Sequence, residues 1–199
     1  MNQPIICISR QFGSGGRVIG EQLAKRLHLP FYDRSIIEQA ARNTGLSEEF
    51  IEREEQHFNS SMLFNLAVSG TPATTTGLAM TNRVLEAETE IIKNLAKKGG
   101  CVIVGRCADY ILQDDPRMFS VFVCADYEWR IDRAINQYAL PPERAAKTVR
   151  NYDKQRSRHY QFYTDRIWGD KENYHMILNT ARLGMDACVE LLVQAIENK

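Results

Sequence analysis

The 199-residue sequence has no C-x-x-C pair, no apolar run long enough to cross a bilayer and no surplus of either charge. Its five cysteines, Cys7, Cys101, Cys107, Cys124 and Cys188, are odd in number, scattered and mostly set inside apolar runs. That pattern argues against a zinc site, so no metal-ligating set is expected, and it points to reduced core thiols and hence to a cytoplasmic protein. Basic and acidic residues balance, giving a formal net charge of zero. Whole-molecule charge therefore indicates neither nucleic acid nor an anionic membrane surface as a partner. The opening Met1-Asn2-Gln3-Pro4 lacks the basic segment and apolar core of a signal peptide, so none is expected. No internal repeat is seen in the sequence.

What remains is ordinary globular material, 44% hydrophobic and 25% charged, in a length that suits one domain with a sizeable core better than two small ones. The most informative stretch runs from Ile5 to Leu27. An apolar run, Ile5-Ile6-Cys7-Ile8, leads into Gly13-Ser14-Gly15-Gly16-Arg17 and then into a segment where Ile19, Leu23 and Leu27 recur at fourfold spacing. This reads as strand, glycine loop and helix. A helix starting there presents unpaired N–H groups and the positive end of its dipole, which together attract phosphate.

The loop departs from the usual G-x-x-x-x-G-K-[ST] pattern, whose lysine reaches the outer phosphates and whose hydroxyl holds Mg²⁺. With Gly16 as the second glycine, Arg17 replaces the lysine, Val18 the hydroxyl and Gln11 the first glycine. With Gly15 in that slot, Gly16 stands where the lysine belongs. Phosphate binding and a plain turn both fit these residues taken alone.

Further on, Leu29 to Arg34 reads as a short extended piece, with Ser35 as the cap or start of a helix carrying Ile36 and Ile37. Asp33 and Arg34 fall at a strand's C-terminal end, where open α/β sheets bind ligands, although a turn with a helix cap explains them equally. Ser47 to His57 is an acidic amphipathic helix with a solvated face. Asn59 to Asn82, rich in Ser, Thr, Gly and Met, is the candidate mobile loop. Helical spacing returns at Val84, Ala87, Ile91 and Leu95, and Gly99-Gly100 stops it. Cys101 to Val104 reads as a strand buried on both faces and ends in Gly105-Arg106. The bare Gly105 leaves room for a ligand beside the backbone, and Arg106 suits bidentate phosphate binding, against a structural salt bridge as the alternative. Met118 to Ala125 is another strand, after which Asp126 can cap a helix bearing Arg130 and Arg133. From Pro141 to Trp168 cations and aromatics crowd together. Lys147, Arg150, Lys154 and Arg158 share one helical face, which is either a solvated stripe or, less in keeping with the zero net charge, an RNA-binding one. His175 to Asn179 is a last strand, followed by Gly184 and a closing helix.

Five apolar runs alternating with helical segments specify an α/β protein with a parallel sheet covered on both faces. The chain resembles the cytidylate kinase-like family, a branch of the P-loop nucleoside monophosphate kinases. The match lies in Ile8 to Arg17, Phe31-Tyr32-Asp33, Val104-Gly105-Arg106, Arg130 with Arg133, and Asn179 to Gly184.

The resemblance implies a P-loop NTPase-like three-layer sandwich over residues 1–199, with 59–82 as an acceptor-side segment and 130–168 as a helical lid. It implies ATP and Mg²⁺ as cofactors and phosphoryl transfer to a nucleoside monophosphate, CMP or dCMP favoured. By it, Gly13, Ser14, Gly15, Gly16, Arg17 and Val18 would cradle ATP, and Asp33, Arg34 and Arg106 would bind the acceptor. Arg17, Arg130, Arg133, Arg156 and Arg158 would serve the transferred phosphate. A non-catalytic nucleotide-binding protein and a kinase for another small phosphate acceptor are the alternatives. Small nucleotides are the expected partners, without a membrane.

Overall fold

The computed structural model describes residues 3–33, 36, 42–43, 45 and 75–198, with the backbone alone over 75–84. By its internal contacts the chain divides into two compact units, one formed by Met1–Tyr32 and Lys98–Lys199, the other by Asp33–Lys97.

The first unit is built on five parallel strands: β1 (Ile5–Arg10), β2 (Phe31–Tyr32), β3 (Cys101–Val104), β4 (Met118–Cys124) and β5 (Met176–Asn179), in the order β2-β3-β1-β4-β5. β1 lies at the centre, Ile8 beside Val104 on one side and Val121 on the other. A central parallel strand needs apolar residues on both faces, and Ile5, Ile6, Cys7 and Ile8 are all buried.

The helices of this unit are α1 (Gly16–Arg26), a short α3 (Ala108–Ile111), α4 (Tyr127–Tyr138), α5 (Pro142–Thr164), α6 (Thr180–Leu183) and α7 (Met185–Glu197). Against one sheet face, Ile19, Leu23 and Ala24 of α1 and Cys188, Val189, Leu192 and Val193 of α7 pack on Ile6, Ile8, Val104, Val121 and Val123. On the other face, Tyr160 of α5 packs with Cys107, Phe122 and Tyr174, and Trp168 closes over them. Each fully buried Ile or Leu in such a core contributes on the order of 1.5 to 3 kcal/mol.

The second unit contributes α2 (Thr75–Lys98). It starts inside the segment read from sequence as a mobile loop, so 75–82 is helical instead; its alanines, leucines and glutamates are good helix formers. Residues 59–74 of that loop, the acidic helix at 47–57, Ser35 and Arg34 lie outside the described residues. The five strands fall where the sequence places them to within a residue or two.

Candidate phosphate-binding site

β1 does not stop cleanly at its last ladder residue. Gln11 N–H donates to the Val123 carbonyl at 3.0 Å, and Gln11 Oε1 accepts from Ala125 N–H at 3.1 Å, tying the loop's entrance to the end of β4. The chain then turns sharply. Ser14 sends both its backbone N–H (3.3 Å) and its hydroxyl (2.8 Å) to the Gln11 carbonyl, while its own carbonyl accepts from Thr180 Oγ1 at 2.8 Å. Ser14 is fully buried. Its polar groups thus hold the turn rather than face a ligand.

Gly15 has φ +81° and precedes α1 with no side-chain cap. An L side chain is strained at that angle, and no side chain caps the first turn. Among the described residues, the N–H groups of Gly13, Gly15 and Gly16 have no hydrogen-bond acceptor. Arg133 of α4 lies over this point, its Nε 3.7 Å from where a methyl group on Gly15 would be. Its guanidinium sits 5.6 Å from the Trp129 ring, and its Nε is buried with no partner among the described residues. Such an orphan costs free energy unless an acceptor satisfies it, and for a guanidinium an anion is the strongest acceptor.

The other arginines divide by what they touch. Arg130 is buried, with Nε on the Ala125 carbonyl (3.1 Å) and Nη1 on both the Phe12 carbonyl (3.0 Å) and Asp153 Oδ2 (2.5 Å). Asp153 Oδ1 also accepts from Phe12 N–H at 2.7 Å. The resemblance places Arg130 on the transferred phosphate; in the structure these bonds tie the loop to α4 and α5. Arg156 donates from Nη1 to the Arg10 carbonyl at 3.0 Å and stands 5.8 Å from the Phe12 ring centroid. Desolvation, with Arg130 close by, pushes its pKa down. The Phe12 ring is stacked on Tyr152 at 4.5 Å and meets the edge of Tyr138.

Arg17 is exposed on the outer flank of α1, with Nη1 3.4 Å from Glu21 Oε2 and its guanidinium 5.7 Å from the Phe31 ring centroid. Val18 is half-buried and offers no hydroxyl. Arg158 is half-buried on α5.

At the end of β3, Gly105, Arg106 and Cys107 all have positive φ, of 83°, 60° and 51°. Two consecutive non-glycine residues in this region store strain of the kind found at functional sites. Arg106 is close enough to His159 of α5 to help burial hold the imidazole down to about 4. Nearby, buried Asp109 accepts from Tyr160 Oη at 2.7 Å, and desolvation raises its pKa against the pull of that bond. The space beside Gly105 read from sequence as room for a ligand is filled by the Arg10 guanidinium, whose Cζ lies 3.1 Å from a methyl group placed there. Asp33 is described in the other unit, and Arg34 lies outside the described residues. Asp126 stands at the α4 N-cap without a capping bond. Instead it accepts from Asn179 Nδ2 at 3.0 Å and pairs with Arg182.

Arg10, Asp153, Tyr160 and Asp109 were given no site role from the sequence. Arg10 carried a usable signal, since it ends a strand as Arg106 does. Asp153 carried none, being one carboxylate in a cationic helix. Among the described residues, no group of acids, histidines or cysteines forms a metal cage and no helix is long and apolar enough to cross a membrane.

A family model described as the cytidylate kinase-like family matches residues 5–182. No curated protein matches the sequence. Among solved structures, an uncharacterized protein from Eubacterium ventriosum is similar at 23% identity and a TM-score of 0.76, over 99% of this chain and 100% of that one. A shikimate kinase from Acinetobacter baumannii is 17% identical with a TM-score of 0.52, over 98% and 94% of the two chains. A sugar kinase from a Janibacter species is 14% identical with a TM-score of 0.56, over 98% and 95%. These likenesses show a shared α/β fold.

Proposed function

Because the chain belongs to the cytidylate kinase-like family, we propose that it transfers the terminal phosphoryl group of ATP to a nucleoside monophosphate, with CMP or dCMP the first candidates. The observation that carries this reading is the α1 N-terminus, where among the described residues the Gly13, Gly15 and Gly16 N–H groups have no acceptor and the Arg133 Nε, likewise without a partner, lies beside Gly15. Donors of that kind suit the oxygens of a polyphosphate. Mg²⁺ would come with the triphosphate and would neutralise part of its charge.

In the reaction an oxygen of the acceptor's phosphate forms a bond to the γ-phosphorus while the bond to the β–γ bridging oxygen breaks, releasing ADP. The protein has little covalent work to do; it aligns the groups and places positive charge around the equatorial oxygens. In this reading Gly13, Gly15 and Gly16 hold the triphosphate, and Arg133, Arg156 and Arg158 neutralise the transferred group. Arg106, with Asp33 and Arg34, binds the acceptor. Arg130 positions the loop, and Arg17 and Val18 lie at its rim. The 199 residues act as one kinase unit, with 59–82 on the acceptor side and 130–168 as the lid.

A second reading, nucleotide binding without catalysis, is favoured by Arg17, which is engaged with Glu21 on the flank of α1 instead of reaching over the loop. Incubation with ATP, Mg²⁺ and a panel of nucleoside monophosphates, followed by phosphorus NMR, separates the readings. CDP or dCDP formation is expected. ATP binding without ADP release on any acceptor would establish the second reading, and turnover on a non-nucleotide acceptor would move the enzyme to another substrate class.

A further inference from the structure

We infer that Arg10 supplies the cation that a P-loop lysine ordinarily supplies, and that Gly16 is bare in order to admit it. This rests on the ATP-binding reading above. The pattern G-x-x-x-x-G-K, laid with its second glycine on Gly15, puts its first glycine on position 10 and its lysine on position 16. The chain has Arg10 and Gly16 there. The two residue types have exchanged places.

The exchange is spatial as well as sequential. A methyl group on Gly16 would lie 2.6 Å from Arg10 Cβ and 3.1 Å from its Cγ, so the Arg10 stem runs through the space that a side chain at position 16 would leave along. Its guanidinium ends against Gly105, where a methyl group would overlap Nη1. Arg10 therefore reaches from the start of α1 to the end of β3, across the C-terminal edge of the sheet, where ligands of open α/β folds bind. Both neighbours that would obstruct it are glycines. Its own backbone is fixed by the Arg156 bond to its carbonyl and by the pairing of β1 with β4. A positive charge rooted on the strand can thus occupy the place of one rooted on the helix, with a planar fork replacing a point charge.

The test is calorimetric titration of ATP, inorganic pyrophosphate and AMP into the full chain and its variants. Arg10→Met keeps the apolar stem and removes the charge. It is expected to weaken ATP and pyrophosphate by about 10- to 100-fold, the loss of a charge-assisted hydrogen bond, and AMP, which lacks the outer phosphates, by less than about threefold. The double variant Arg10→Gly/Gly16→Lys restores the ordinary arrangement and is expected to recover ATP binding to within about tenfold of the parent. Unchanged ATP affinity in Arg10→Met, or equal losses for ATP and AMP, overturns the inference. Should Arg10→Met not fold, the double variant decides: folded without ATP affinity, it refutes the exchange. A parent chain that binds neither ATP nor pyrophosphate refutes the proposed function itself, whereas a binding parent with an indifferent Arg10→Met refutes only this step.

Discussion

The Nε of Arg133 is buried without an acceptor among the described residues. An unsatisfied buried donor costs about 1 to 3 kcal/mol. Arg133→Met, which keeps a stem over Trp129, should therefore raise the thermal midpoint of the free protein, by roughly 2 °C or more. It should also shrink the stabilisation that ATP confers, and a thermal scan with and without nucleotide reads both signs at once. His159 works in the opposite sense. Burial and Arg106 hold its pKa down to about 4, below the unfolded value of about 6.5, so the native state favours the neutral ring. That stability is complete above about pH 6.5 and is lost as pH falls toward 4, by up to roughly 3 kcal/mol. Urea titrations across that range should show the slope, and His159→Phe should flatten it. For Arg106, Arg106→Lys keeps the charge and loses the fork. The expected loss is on the order of 1.5 to 3 kcal/mol of acceptor binding with ATP affinity kept, and an equal fall in both would remove Arg106 from the acceptor site.

At the scale of elements, the helix that the resemblance implies is a lid is tied to the glycine loop. α5 buries Ala145, Val149, Tyr160 and Thr164 and sends Asp153 and Arg156 to the backbone of Phe12 and Arg10. Asp153→Asn leaves Arg130 as a buried charge without its counterion, which costs about 3 kcal/mol or more. Hydrogen exchange should show lost protection at the Phe12 amide and, with an ATP analogue, recovery there. Unchanged exchange at Phe12 would mean the clamp does not hold the loop. The helix itself was legible, because Lys147, Arg150, Lys154 and Arg158 follow its period. Its docking was not, because a carboxylate that accepts one main-chain N–H and pairs with one distant arginine leaves no periodic trace. The glycine loop was legible for the opposite reason: positive φ and close backbone approach restrict those positions to a single residue type.

For the molecule as a whole, alternating apolar runs disclosed the α/β class, since strands buried on both faces tolerate little else. The order β2-β3-β1-β4-β5 has a further consequence, for synthesis. Ile8 pairs with Val104, 96 positions later, and Ile5 with Met118 on the other side. At ribosomal rates of about 5 to 20 residues per second, the central strand waits on the order of 5 to 20 s for its first long-range neighbour. Through that interval Ile5-Ile6-Cys7-Ile8 is a sticky segment without a sheet to join. Ribosome-bound chains stalled after Lys98 should be captured by a holdase chaperone through this segment, and chains stalled past Asn179, with enough further length to clear the exit tunnel, should be released. Equal capture at both lengths would show that β1 is shielded by something other than the strands that finally flank it.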